Sequence, residues 1–278
     1  MQKIMVRAFA AKGCMRLPVA LLVALCTISP PAFAQAQVLE MASRPGVTVR
    51  FAYFPAANPV ASAILFQGGA GNIGLYPNGS TRSGGFLATG AANFNRNDIS
   101  VAIIDLPSDR RHLDDFRQTR EHAEDAAVVI DFLRQRARLP VWAIGTSNGS
   151  LSAATSAAIL KARGPDGLVL TASTTRKPIS AAHPVTDAAL NEIALPVLFV
   201  HHRLDGCSVT PIDAIPGVMA SMKAAKPVEL ITVEGGDPAG NPCRTGHHQF
   251  VGIEAAVTQQ IAEWIKRYQA QAPTKAGN

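Results

Sequence analysis

The chain has 278 residues, 47% of them hydrophobic and 17% charged. That balance excludes an intrinsically disordered or highly charged class. The formal charge of +6 is unevenly placed: residues 1–34 hold Lys3, Arg7, Lys12 and Arg16 and no acid, which leaves 22 bases against 20 acids in the rest. A near-neutral body carries no electrostatic footprint for nucleic acid, so no nucleic-acid partner is expected.

The basic opening reads as a leader. Leu17 to Ile28 is a short apolar run behind scattered bases, and Pro30-Pro31-Ala32-Phe33-Ala34 ends in an A-x-A pattern. This is the pattern of a secretory signal peptide, with cleavage expected after Ala34. The apolar run is shorter than the ~20 residues a spanning helix needs, so no stable membrane anchor is expected after processing. The expected address is the periplasm or the exterior. Cys14 and Cys26 would leave with the leader, so the mature chain would hold only Cys207 and Cys243. In an oxidising compartment two cysteines suggest one disulfide.

Short apolar runs then alternate with helical patterns. Val47 to Phe54 alternates like a half-buried strand, whereas Ala61–Phe66, Ile99–Ile104, Val141–Ile144, Gly167–Ala172, Val197–Val200 and Val228–Val233 are near-continuous apolar runs. Such runs suit strands covered on both faces. Thr119–Arg138, Asn148–Arg163 and Ala256–Tyr268 carry helical spacing, and Gly68–Asp98 is irregular, with a short helix near Phe86–Phe94. The alternation predicts an α/β chain with a mostly parallel sheet flanked by helices. A single domain over residues 35–270 and a loose tail over 271–278 are expected.

Chemistry concentrates at Gly145-Thr146-Ser147-Asn148-Gly149, a G-x-S-x-G pattern between an expected strand and an expected helix. That context describes a nucleophile elbow, in which a sharp turn lifts the Ser147 hydroxyl above the sheet. A serine hydroxyl needs a base beside it and a carboxylate behind the base, in the chain order Ser, acid, His. Asp205 follows the strand Val197–Val200 and is the best-placed acid, while Asp187, Asp213 and Asp237 read as surface or turn residues. His247 and His248 lie beyond the last strand. His248 is favoured as the base, with His247 as the alternative. His112 and His122 are expected to be solvated, His201 and His202 read as strand-end residues, and His183 has no role. For an oxyanion hole, Asn148 offers one backbone N–H and Gly69 the second, with Gly68 close behind. Cys207 lies two residues after Asp205 and Cys243 five before His248, so their bridge would tie the acid loop to the base loop. Gly69-Ala70-Gly71-Asn72-Ile73-Gly74 also matches G-x-G-x-x-G, but Leu75-Tyr76-Pro77-Asn78-Gly79 does not continue as the helix a dinucleotide site needs. No cofactor is expected, and the adjacent histidine pairs match no metal-ligand spacing.

From about Val47 to Tyr268 the chain resembles the α/β-hydrolase fold serine hydrolases. The resemblance rests on Gly68–Gly71, the Gly145–Gly149 elbow, the His201-His202-Arg203-Leu204-Asp205-Gly206-Cys207 run and the Cys243 to His248-Gln249-Phe250 run. It is closest to exported members with paired cysteines near the acid and base. It departs at Gln67, where many relatives carry His, and at Gln249, where Gly is common. The resemblance implies ester, thioester or amide hydrolysis through an acyl-enzyme, with Ser147 as nucleophile, His248 as base and Asp205 as orienting acid. The stretch from Ser173 to Pro196 leaves no room for a large cap domain. A carboxylesterase acting on a small-molecule ester is the leading expectation. A peptidase or lipase of the same fold, or a non-catalytic binding protein on this scaffold, is the alternative.

Overall fold

The computed structural model describes residues 36–177 and 182–271. The expected leader, with Cys14 and Cys26, and the tail beyond residue 271 lie outside the described residues. Eight strands form one sheet: β1 (Gln37–Arg44), β2 (Val47–Phe54), β3 (Ala61–Phe66), β4 (Ile99–Pro107), β5 (Val141–Thr146), β6 (Gly167–Thr171), β7 (Val197–His202) and β8 (Val228–Val233). Their spatial order is β1-β2-β4-β3-β5-β6-β7-β8. The β1–β2 and β2–β4 pairs are antiparallel, and the remaining five pairs are parallel.

The apolar runs of β3, β5, β6 and β7 are continuous because both faces of the sheet are covered there, whereas Val228–Val233, expected to be covered in the same way, is the edge strand β8 and buries only Val233. In β5, Val141 and Ala143 enter one core while Trp142 and Ile144 enter the other. The first core is closed by α2 (Arg120–Ala137), α3 (Gly149–Leu160) and α4 (Ile215–Ser221), which supply Val129, Ala153 and Val218 among others. The second is closed by α1 (Phe86–Arg96) and α5 (Glu254–Gln271), through Phe94 and Ile261. Trp142 and Trp264 meet edge to face there, with ring centroids 5.4 Å apart. Among the described residues no helix is long and apolar enough to cross a membrane.

Local sequence sets the ends of α2. Thr119 is extended and its side chain accepts from the His122 N–H, which satisfies one orphan donor of the first turn. Arg138 closes the helix in the left-handed conformation. The expected elements are all present, with boundaries shifted by a few residues. Two were not foreseen: the largely exposed β1 and the short α4. The Gly69–Gly74 segment leads into no helix. Instead Asp105 at the end of β4 accepts from the Ile73 and Leu75 N–H groups and pins it as a loop.

Candidate active site

The C-terminal ends of β3, β5, β6, β7 and β8 share one edge of the sheet because these strands run parallel. Ser147 leaves β5 there with φ of +53°, a conformation that costs a non-glycine residue energy and survives only where its surroundings enforce it. The enforcement is visible in the flanking glycines. A Cβ on Gly145 would overlap the Gly149 carbonyl, and one on Gly149 would overlap the Phe66 carbonyl at the end of β3. The G-x-S-x-G pattern is therefore a packing requirement of this turn. Ser147 is 9% exposed.

Asp205 lies just beyond β7. Its Oδ1 accepts from the Cys207 N–H at 3.0 Å, and its Oδ2 accepts from Thr210 Oγ1 and from His248 Nδ1, each at 2.9 Å. Both side chains of the Asp205–His248 pair are fully buried. Burial by itself would raise the Asp205 pKa, but the imidazoles of His201 and His248 and the Cys207 N–H outweigh it and hold the carboxyl well below the usual range. A carboxylate only accepts, so His248 Nδ1 carries the hydrogen and Nε2 keeps a free lone pair. Nε2 is buried without a hydrogen-bond partner among the described residues, and no hydrogen bond joins it to Ser147 Oγ.

Loop-to-loop bonds connect the three stretches. The Thr174 N–H after β6 donates to the Ser147 carbonyl, and the Thr175 and Arg176 N–H groups donate to the Val209 carbonyl next to Thr210. Cys207 and Cys243 form the expected disulfide and join the loop after β7 to the loop before His248. The two glutamines that depart from the resemblance share a task. Gln249 Oε1 accepts from the Phe86 N–H and Gln67 Oε1 from the Ala88 N–H, so both hold the first turn of α1. Gly85, at the N-cap, has no side chain to do so.

The other histidines separate by contact. His247 stacks on His202 with ring centroids 3.9 Å apart, and its Nδ1 donates to the Leu204 carbonyl, so it faces away from the carboxylate. His202 Nδ1 accepts from the Leu204 N–H and its Nε2 donates to the Gly235 carbonyl. Burial holds its pKa below the ordinary histidine range. His201 Nε2 donates to the Thr210 carbonyl at 2.7 Å and lies 3.5 Å from Asp205 Oδ2, so it braces the acid loop. His183 pairs with Asp187, and His112 is half exposed beside Asp114. His122 corrects an expectation: it is fully buried between Phe66 and Phe116, not solvated. Burial, reinforced by the charges of Arg117 and Arg44, lowers its pKa to about 3.

Gly69 lies beside the elbow with φ of +58°. Neither its N–H nor that of Asn148 is bonded among the described residues. The Asn148 side chain, which the sequence did not single out, donates to the Gly69 carbonyl at 3.2 Å and accepts from Thr174 Oγ1 at 2.8 Å. Thr210 was missed in the same way, because only the folded loop brings its hydroxyl to Asp205.

Among solved structures, an esterase of Pyrococcus furiosus superposes with a TM-score of 0.60 at 13% identity, covering 84% of this chain and 92% of that one. The chain has an α/β-hydrolase fold. A serine hydrolase without lid from Xanthomonas campestris gives 0.57 at 17% identity, with 88% and 100% covered. A dienelactone hydrolase from Anabaena variabilis gives 0.56 at 15% identity, with 84% and 99% covered. Among the described residues there is no large cap domain: the described part of the stretch before β7 forms only short 3-10 turns at Val185–Asp187 and Leu190–Glu192. No protein-family model matches the sequence, and no curated protein does.

Proposed function

We propose that this chain is an exported serine hydrolase that cleaves carboxylic esters through an acyl-enzyme on Ser147. The observation that carries the reading is the buried Asp205–His248 pair, joined at 2.9 Å, with the far nitrogen of the imidazole unpartnered. The strained elbow at Ser147 supplies an alcohol at the same sheet edge. Three similar structures bear the names esterase, serine hydrolase and dienelactone hydrolase. Export is supported by the A-x-A leader pattern in the sequence and by the disulfide.

In this reading Ser147 Oγ attacks the ester carbonyl carbon while its proton passes to His248 Nε2. Asp205 holds the imidazole in the tautomer that accepts there and offsets the charge that forms on it. The N–H groups of Asn148 and Gly69 hold the oxyanion. Collapse breaks the carbon–oxygen bond to the leaving alcohol, which takes the proton from His248. Water then repeats the sequence against the acyl-enzyme, releasing the acid and restoring Ser147. The chain supplies all of these groups, so the reading requires no cofactor.

Ser147→Ala should lose on the order of 10³–10⁶-fold in kcat against p-nitrophenyl esters while keeping its melting temperature. A fluorophosphonate probe should label the wild-type chain and not the variant. An unlabelled, inactive wild type would favour the non-catalytic alternative. Undiminished turnover by Ser147→Ala would remove Ser147 from the chemistry.

A further inference from the structure

Beneath the glycine loop lies a buried cation without a salt bridge among the described residues, its nearest opposing charge that of Asp114. Arg117, in the turn that precedes α2, is 1% exposed, and no carboxylate pairs with it among the described residues. Burial lowers its pKa only to about 10, so it stays cationic at neutral pH. Burying a guanidinium without a salt bridge is costly, even where hydrogen bonds offset part of the penalty. Fold stability alone therefore gives little reason to keep it.

Its contacts supply another reason. Arg117 Nη2 donates to the Gln67 and Gly69 carbonyls, both at 3.1 Å, and Nη1 donates to Ser152 Oγ at 2.6 Å on the first turns of α3. The neighbouring carbonyls are held as well. The Gly71 N–H donates to the Gly68 carbonyl, and the Leu113 N–H, from the turn that carries Arg117, donates to the Ala70 carbonyl. Four consecutive carbonyls from Gln67 to Ala70 thus accept bonds. In a trans peptide the N–H points opposite to the C=O, so anchoring these carbonyls fixes the directions of the N–H groups of Gly68, Gly69 and Ala70. None of those three is bonded among the described residues. The loop also packs on the elbow, since a Cβ at Gly68 would lie 2.9 Å from Ser147 Cβ. Gly71 keeps room for the arrangement: a Cβ there would lie 3.0 Å from Arg117 Nη2 and collide with the Leu113 side chain.

We propose that Arg117 is a positioning residue that sets the oxyanion-binding loop, by holding the Gln67 and Gly69 carbonyls on either side of the Gly68–Gly69 peptide. The proposal rests on the serine hydrolase reading. Through two polarised peptides, the cation also adds positive potential on the side where charge develops on the substrate oxygen.

The test uses the processed chain and p-nitrophenyl butyrate. Arg117→Met keeps length and apolar volume but removes every donor. The expected result is a fall in kcat of about 10²-fold with KM changed less than about threefold, comparable with loss of one oxyanion donor. Inhibition by a trifluoromethyl ketone, a tetrahedral mimic, should weaken by the same factor as kcat/KM. Arg117→Lys, which retains the charge and one donor direction, should recover part of both losses. Ser152→Ala removes only the anchor of the guanidinium and should cost a few-fold in kcat. A folded Arg117→Met with kcat and ketone affinity within twofold of wild type overturns the proposal. Should Arg117→Met fail to fold, unchanged kcat and ketone affinity in Ser152→Ala overturn it. A wild-type chain with neither turnover nor labelling defeats the hydrolase reading itself, a result separable from these.

Discussion

At the scale of single residues, the buried histidines divide by whether their nitrogens are satisfied. His248 shares Asp205 with Thr210, and its remaining nitrogen has no hydrogen-bond partner among the described residues. His122 has both ring nitrogens buried and unpartnered, which serves no step of the proposed reaction. Its pKa of about 3 lies below the ordinary value of 6.5, so between those limits the unfolded chain binds a proton that the folded chain refuses. Stability therefore falls as pH falls through that window, by roughly 1 kcal/mol per pH unit from this group. His122→Phe should gain thermal stability over wild type more at pH 5 than at pH 7.5, read by melting temperature. An equal gain at both pH values would contradict the assignment. The Asp205 carboxyl acts with the same sign in a more acidic window: its depressed pKa makes its contribution complete above the usual carboxylate range, and that contribution is lost as pH falls below it. His122 was legible in principle, because it stands four residues before Ala126 and so continues the apolar stripe of α2. The roles of the Asn148 side chain and of Arg117 were not, since their partners are remote in sequence, and Thr210, only five residues from Asp205, carries no pattern that marks it.

At the scale of elements, the loops at the C-terminal sheet edge are linked in pairs. The disulfide joins the loop after β7 to the loop between β8 and α5, so the segments carrying Asp205 and His248 are tethered by a covalent bond as well as by the hydrogen bond between those side chains. Closing a loop of this length contributes about 3–4 kcal/mol on the chain-entropy account. Reduction, or the paired Cys207→Ser and Cys243→Ser change, should lower the melting temperature. On the proposed hydrolase function it should also lower turnover of p-nitrophenyl esters at temperatures where the sheet remains folded by circular dichroism. Rate and melting temperature both indifferent to reductant would dispose of the tether. The glutamines act at the same scale. Gln67 and Gln249 come from opposite ends of the chain and cap α1 in place of Gly85, which couples the glycine loop and the His248 turn to one helix. Sequence comparison by type marked them only as departures, because a remote side-chain cap leaves no local pattern.

At the scale of the whole molecule, the parallel strands β3, β5, β6 and β7 are buried throughout, while β1 and β8 are the two edge strands, β1 held by β2 alone and largely exposed, β8 held by β7 alone with only Val233 buried. Native-state hydrogen exchange should therefore find the slowest amides in β3, β5, β6 and β7 and much faster exchange in β1 and in the 70–85 loop. Protection of β1 equal to that of β5 would contradict this layering. Most of the architecture was readable from the chain because a strand buried on both faces must be apolar throughout, and a helix on one face must repeat near 3.6 residues. β1 escaped because Leu39-Glu40-Met41-Ala42-Ser43-Arg44 buries little and so need not alternate, and α4 because Ile215-Pro216-Gly217 reads as a turn. The sequence by itself determined which apolar runs become strands, the elbow at Ser147 and the residue types able to serve as acid and base, since each depends on local sterics or on spacing along the chain. Only the tertiary structure decided that His248 rather than His247 meets Asp205, that His122 is buried, and that Arg117 lies under the glycine loop. Those outcomes depend on which distant loops the parallel sheet brings to one edge, and hydrogen-bond geometry between distant loops has no signature in a linear pattern.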